Sequence, residues 1–495
     1  MTKGKRVCVR WLPTVLATVL MAGCGGSGGS TPVRTGSPPG TVFMFGTDAP
    51  VCDVQSMIVT ITSANLVPQG GGTGVSLISS ASPATVDFVR LSDFTNVLAS
   101  NADVPPATYT QLKVGLTNPQ LTVLDTSTDP PKSKSVAATL TATSLTINLS
   151  PALVVSSHAT NGLVFDFNVA QSLALDTHGQ VTGSIDPQIT LTQTTPSGTT
   201  VGEADRFYGI IQSVTTSGVP SGFSGSFNLA LQDGTGQTLT ILTNASTLFD
   251  GDGVTGFSGL QPGLFVEADA VVNTSGQLVA QIIDAEEQTT GSGASTGFMG
   301  QILSISQDTS GNATSFTLLV TDEIPATVAA VPLNSNLTVT LSGSTTYFTN
   351  WQTWNRESFV YGPKTVGVAQ KVAVWGTATT AGTTTTLPAQ QVFLRPHSVP
   401  GVLNRLVVTG ADGKSGGFTL TPCGSLFGGK DITVITYADT TYTGVSGIGR
   451  LTSGTIINNP GVLFYTQTNG ASPLGVAWTA PTWVLEARGV HQLPD

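Results

Sequence analysis

Beyond its first forty residues, the chain alternates apolar and polar positions in short runs. Val42-Phe43-Met44-Phe45 and Met57-Ile58-Val59-Thr60-Ile61 are β-branched or aromatic stretches of strand length, with Asp48-Ala49-Pro50 between them as a turn. Further strands are predicted at 86–89, 109–114, 121–124, 145–149, 163–167 and 185–191. Gly, Pro, Asn and Asp separate them, which predicts an antiparallel sandwich over residues 41–195. Residues 91–100 are the one stretch read as a short helix.

After a linker at 194–203, a pattern recurs three times, starting near Phe207, Phe298 and Val402. Each copy has a core strand: Ser226-Phe227-Asn228-Leu229, Ser315-Phe316-Thr317-Leu318 and Gly417-Phe418-Thr419-Leu420. Each then has Leu239-Thr240-Ile241, Leu337-Thr338-Val339 or Ile432-Thr433-Val434. These lead to Thr247-Leu248-Phe249, Thr346-Tyr347-Phe348 and Thr440-Thr441-Tyr442. Two closing strands follow clearly in the first two copies and loosely in the third. The expectation is three repeats, 205–288, 297–396 and a divergent 400–491, each a small closed or nearly closed barrel similar to an OB-fold. An immunoglobulin-like sandwich per repeat is the alternative. The fold class is all-β in either case.

The start of the chain differs from this body. Lys3, Lys5, Arg6 and Arg10 precede an apolar run from Trp11 to Met21, shorter than the ~20 residues of a membrane-spanning helix. Small residues follow before Cys24, so residues 1–23 have the three parts of a secretion signal. Residues 24–40 are rich in Gly, Ser and Pro and suit a flexible tether. The formal net charge is −10, and the leader holds four of the cationic groups, so the remainder is more acidic still. An acidic surface without Lys/Arg clusters disfavours nucleic acid as a partner.

Leu20-Met21-Ala22-Gly23-Cys24 resembles the processing site of bacterial lipoproteins. The resemblance implies a mature chain that begins at an acylated Cys24 and reaches the membrane through its lipid. Gly25 departs from the inner-membrane retention pattern, which points to the outer membrane of a Gram-negative bacterium. Thr47-Asp48-Ala49-Pro50, Val104-Pro105-Pro106-Ala107-Thr108-Tyr109-Thr110-Gln111 and Phe165-Asp166-Phe167 running to Ser172 resemble the envelope family called domain of unknown function 4382. That family usually has glycine where this chain has Ala107 or Thr108. The Pro-x-x-Tyr passage is also similar to the strand entry of transthyretin-like sandwiches, implying a tyrosine ring across the core. The repeats resemble domain of unknown function 5666, clearly in copy one, with insertions in copy two and weakly in copy three.

Candidate chemistry is sparse. His158, His178, His397 and His491 sit in turn-like settings and read as exposed loop residues. Asp250-Gly251-Asp252-Gly253 lacks the further ligands of a calcium loop and reads as a turn, and no metal or cofactor is expected. Gly413-Lys414-Ser415 lacks the earlier glycine of a phosphate loop and reads as a hairpin turn. Cys52 and Cys423 fall in the first and last domains. An oxidising envelope permits a disulfide, but two separate buried thiols are the reading preferred. The insertion of copy two crowds aromatic rings among amides: Asn350, Trp351, Trp354 and Arg356 lie there. The plainer reading has those rings plug a barrel end. The sharper one makes Trp351 and Trp354 a glycan platform with Asn350 and Arg356 as hydrogen-bonding partners. The chain is therefore expected to be a lipid-anchored envelope protein with a non-catalytic binding or structural role, toward a glycan or an envelope protein. The alternative is an envelope enzyme whose active site is assembled from several domains.

Overall fold

The structure is a computed structural model that describes residues 37–493, apart from 49–50, 93–94, 178–179, 233–235, 252–253, 287–295, 325–330, 350–355 and 382–383. Two large sheets form the body of the first domain, and a small third one joins Leu173–Leu175, Val181–Ile185 and Thr139–Leu140. Of the large sheets, one runs Ile189–Gln193, Thr160–Phe167, Gly40–Thr47, Asn96–Val104, and the other Val75–Ile78, Val54–Pro68, Ala107–Asp125, Lys132–Val136. Ala84–Asp87 and Ser144–Val155 add to the second sheet. These two sheets are antiparallel except where Gly40–Thr47 lies parallel to Thr160–Phe167, which sets the beginning and end of the domain side by side. Its core holds Phe88, Phe165 and Phe167, with the Phe88 ring 4.5 Å from that of Phe167. Each such ring, fully removed from water, contributes roughly 2–3 kcal/mol.

The helix expected at 91–100 is replaced by a 3-10 turn, Phe88–Ser92, and the strand Asn96–Val104. Phe88 and Leu91 anchor the turn in the core, and the strand takes the open edge beside Gly40–Thr47. The runs at 109–114 and 121–124 belong to one long strand, Ala107–Asp125, in which Asn118 takes a left-handed φ of 49°. Tyr109 is buried as the transthyretin-like resemblance implied, and its hydroxyl donates to the Pro105 carbonyl at 2.9 Å.

Three barrels follow with one strand order. The first comprises Thr200–Thr215, Gly225–Leu231, Thr238–Thr243, Phe265–Asn273 and Leu278–Glu286. The second comprises Thr296–Gln307, Ala313–Ile324, Asn336–Thr340, Lys371–Gly376 and Thr384–Leu394. His397–Thr409, Gly416–Pro422, Ile432–Thr436, Ile456–Thr466 and Thr482–Ala487 make the third. In each, the first strand pairs with the second and fourth, and the third closes the ring by lying parallel to the fifth. This is an OB-like barrel, and closure leaves none of its five strands with an open edge. The first barrel begins at Thr200, inside the stretch read as linker.

Equivalent residues align the repeats. Gly209, Gly300 and Gly401 sit on the three first strands, where a β-carbon would overlap the carbonyl oxygens of Ala230, Leu319 and Thr421 on the neighbouring strand. The ladder shifts register two residues later in every case, between Ile211 and Ser213, Ile302 and Ser304, and Leu403 and Arg405. Copy three therefore starts at Val399, three residues before the position read from its sequence, and it has the same topology as the others.

Candidate functional site

The four domains meet around a cavity of about 160 Å³. The sandwich lines it with Asp53 and Arg90, the first barrel with Arg206, Tyr208 and Glu267, and the second with Asp322, Lys371 and Arg395. His397 and the 423–427 segment complete it from the third barrel. Strand geometry explains the arrangement. Glu267 and Asp322 stand on barrel strands, each only 4% or less exposed at the side chain, so each needs a counter-charge from a neighbour.

Arg90, projected by the 3-10 turn of the sandwich, meets Asp322 at 2.7 Å. Arg395, just past the last strand of the second barrel, donates to Glu267 of the first. Tyr208 links them: its hydroxyl donates to Asp322 at 3.0 Å, and its ring lies 5.8 Å from the Arg90 guanidinium and 5.6 Å from that of Arg395. Burial pushes the Asp322 carboxyl above its ordinary range, and the neighbouring Arg90 charge opposes that rise. Asp53 accepts from the backbone N–H and hydroxyl of Ser425 at 3.0 and 2.9 Å.

A disulfide joins Cys52 to Cys423 at the rim of this cavity. The preferred expectation of two separate buried thiols is thus overturned: the sandwich and the third barrel pack so that the two α-carbons lie 5.4 Å apart, and Cys52 is exposed. No pattern in the chain could reveal this, because the residues are 371 positions apart. His397 and His491 also depart from the exposed-loop reading. His397 is a strand residue 2% exposed, and His491 lies on the strand Gly489–Gln492, where burial and the Arg206 charge lower its pKa. His158 is exposed with a φ of 59°, and His178 lies outside the described residues.

A second charged cluster joins the first and third barrels. Arg488 donates to Asp269, which also accepts from the Arg206 backbone at 2.7 Å. Burial and the Asp269 charge push the neighbouring Asp205 up to about 6. Asp205 also exchanges backbone hydrogen bonds with Thr95 of the sandwich, at 3.0 and 3.1 Å.

Among the sequence-derived candidates, Cys24, Asn350, Trp351 and Trp354 lie outside the described residues. Arg356 pairs with Asp439 and stacks 5.1 Å from the Tyr437 ring. The chain after it docks on the third barrel: the N–H groups of Arg356 and Glu357 donate to Glu486, and Phe359 stacks 4.6 Å from Phe464. Asp250 belongs to the strand Leu248–Gly251 rather than to a turn, while Asp252 and Gly253 lie outside the described residues. At Gly413-Lys414-Ser415, Asp412 accepts from the Lys414 and Ser415 N–H groups, making the hairpin turn. Among the described residues no three His, Cys, Asp or Glu side chains cluster to hold a metal ion, and no helix is long and apolar enough to cross a membrane.

The sandwich motifs converge in space. Asp48 accepts from the Val169 N–H at 3.1 Å, just past the buried Phe165 and Phe167, and Ser172 closes the same short helix. Residues 39–182 match the family described as Domain of unknown function (DUF4382). The DUF4382 segment therefore covers most of the sandwich. Residues 208–284, the first barrel, match Domain of unknown function (DUF5666). The second and third barrels share the strand order of the first, and the match covers the first alone. No curated protein matches the chain. Among solved structures, a single-stranded DNA binding protein from Thermus aquaticus (a deletion mutant) is similar at 14% identity. That match covers 39% of this chain and 94% of the other, with a TM-score of 0.12.

Proposed function

We propose that this chain is a lipid-anchored protein of the bacterial cell envelope, in the outer membrane, with a non-catalytic binding or structural role. The observation that carries the reading is the Cys52–Cys423 disulfide, partly open to solvent, since such bonds persist in oxidising compartments outside the cytoplasm. The basic, apolar and small-residue segments ending at Cys24 agree with that location. The structural role is supported by the charged junction, where Asp322 and Glu267 are tied to Arg90 and Arg395 and so hold domains together.

Binding is assigned to the aromatic insertion, with Trp351, Trp354, Asn350 and Arg356 facing a glycan or an envelope protein. Its Arg356 end is seated on the third barrel, paired with Asp439 and bonded through its N–H to Glu486. Metabolic labelling with a palmitate analogue tests the anchor: the wild type takes up label and Cys24→Ala does not. A wild type without label refutes it. Titration of intrinsic fluorescence with peptidoglycan fragments tests the platform. A response lost in Trp351→Phe and Trp354→Phe supports it, and no response from the wild type removes it.

A second reading, an envelope enzyme, has one observation in its favour: the cavity draws charged residues from all four domains. The binding reading is favoured, since the cavity carboxylates already accept from arginine, tyrosine or serine.

A further inference from the structure

We propose that residues 356–361 form a pH-controlled strap, clamped over the outer face of the third barrel in acid and lifted from it toward neutral pH. This adds regulation to the binding role proposed above and rests on that reading, because Arg356 belongs to the platform.

The strap covers an apolar surface outside the barrel. Phe418, Val434 and Leu485 belong to the barrel core, whereas Ile435, Val476 and Val484 form a small separate cluster. Phe359, Tyr437 and Trp478 pack on that cluster, each half-buried. Phe359 comes from the strap, its ring 4.6 Å from Phe464 and 5.5 Å from Trp478. Lifting it uncovers both rings. Beyond it the strap is held by Tyr361, buried in the core of the second barrel. Between these anchors Val360 is 80% exposed, and Ser358 takes a left-handed φ of 55°, a conformation costly outside glycine. Contacts on either side therefore hold the turn down.

The clamp is a carboxyl group. Glu486, on the closing strand Thr482–Ala487, is fully buried, and its two oxygens accept from the N–H groups of Arg356 and Glu357, both at 2.9 Å. The strap thus lies across the carboxyl end. The groups around it are mostly acidic. Glu357 accepts from the Tyr437 hydroxyl at 3.0 Å, while Arg356 is turned to Asp439 and to the Tyr437 ring. Burial, joined by the Glu357 charge, holds Glu486 protonated up to about 7, against the pull of the two N–H donors. Once lifted, it returns to the ordinary range near 4.5. Docking therefore takes up a proton. It is strongest below 4.5, weakens about tenfold per pH unit up to about 7 and is level above that, a loss of about 300-fold in all.

Amide hydrogen exchange of the intact mature chain at pH 5, 6, 7 and 8, corrected for the intrinsic rate, tests this. Protection of residues 356–360 should fall about a hundredfold from pH 5 to 7 and level off by pH 8, while the strand Ile432–Thr436 keeps its own. Glu486→Gln has no proton to release, so its strap protection should not vary with pH, whatever its level. Phe359→Ala loosens the strap without touching the clamp, and should lower protection at every pH while keeping the slope. A flat profile in the folded wild type, a slope retained by Glu486→Gln, or Ile432–Thr436 opening in parallel with the strap overturns the proposal. Those outcomes leave palmitate labelling and the tryptophan titration untouched, so they are distinguishable from failure of the binding reading.

Discussion

Thr247, Thr345 and Thr440 occupy one position in the three barrels and make the same pair of hydrogen bonds. Each hydroxyl accepts from the N–H three residues earlier, that of Asn244, Ser342 or Tyr437. Each also donates at 2.9 Å to the carbonyl of Ala280, Ala389 or Ala487 on the closing strand. Thr345→Val keeps the shape and leaves the Ser342 N–H and the buried Ala389 carbonyl unanswered, so urea denaturation should show a loss of about 1–3 kcal/mol. Thr345→Ser should lose much less. Another shared place holds Gly263, Ala369 and Gly454, at φ of 91°, 70° and 89°, with their N–H groups bonded to Ile211, Ile302 and Leu403. Gly263→Ala should cost about 1 kcal/mol in the same assay, because a β-carbon disfavours left-handed backbone. The threonine repeat was legible at Thr247 and Thr440 but set one residue late at Thr346. Copy two reads Ser344-Thr345-Thr346-Tyr347, and only burial distinguishes the two threonines.

At the scale of elements, the segment from Arg356 to Tyr361 belongs in sequence to the second barrel and in packing to both the second and the third. Phe359 lies between Phe464 and Trp478, while Tyr361 packs edge-on to Tyr347. Glu486 receives the start of the segment. Burial pushes its carboxyl up to about 7, while the two N–H donors pull the other way. The folded state thus holds a proton that the unfolded chain releases near 4.5. The contribution of Glu486 to stability is complete below that pH and is lost as pH rises through about 7. Glu486→Gln should flatten that part of the stability–pH curve, a difference on the order of 1–3 kcal/mol in denaturation between pH 5 and 8. Strand positions and closed barrels were readable because alternation and turn residues are local signals. The helix expected at 91–100 failed because that segment lies at a sheet edge, where pairing with Gly40–Thr47 outweighs local preference.

At the scale of the molecule, the junction depends on residues that no local pattern marks. Arg90, Arg395 and Arg488 come from three separate domains, and their partners Asp322, Glu267 and Asp269 stand on barrel strands. Their convergence is tertiary, as is the pairing of Cys52 with Cys423. Arg395→Met should remove the guanidinium that donates to the buried Glu267 and lower stability by about 3–5 kcal/mol, with part of the loss recovered by adding Glu267→Gln. Equilibrium denaturation of the two single variants and the double variant checks this. The cross-link has a mechanical consequence. A pull between the first strand, Gly40–Thr47, and the far end of the third barrel runs through Cys52 and Cys423 and bypasses everything between them. In an optical trap the chain between the cysteines, which are 371 positions apart, should yield no length until reductant is added, and then up to about 1,300 Å. Tension along the chain would thus spare the first two barrels, and a protease nick in their loops would not release the pieces.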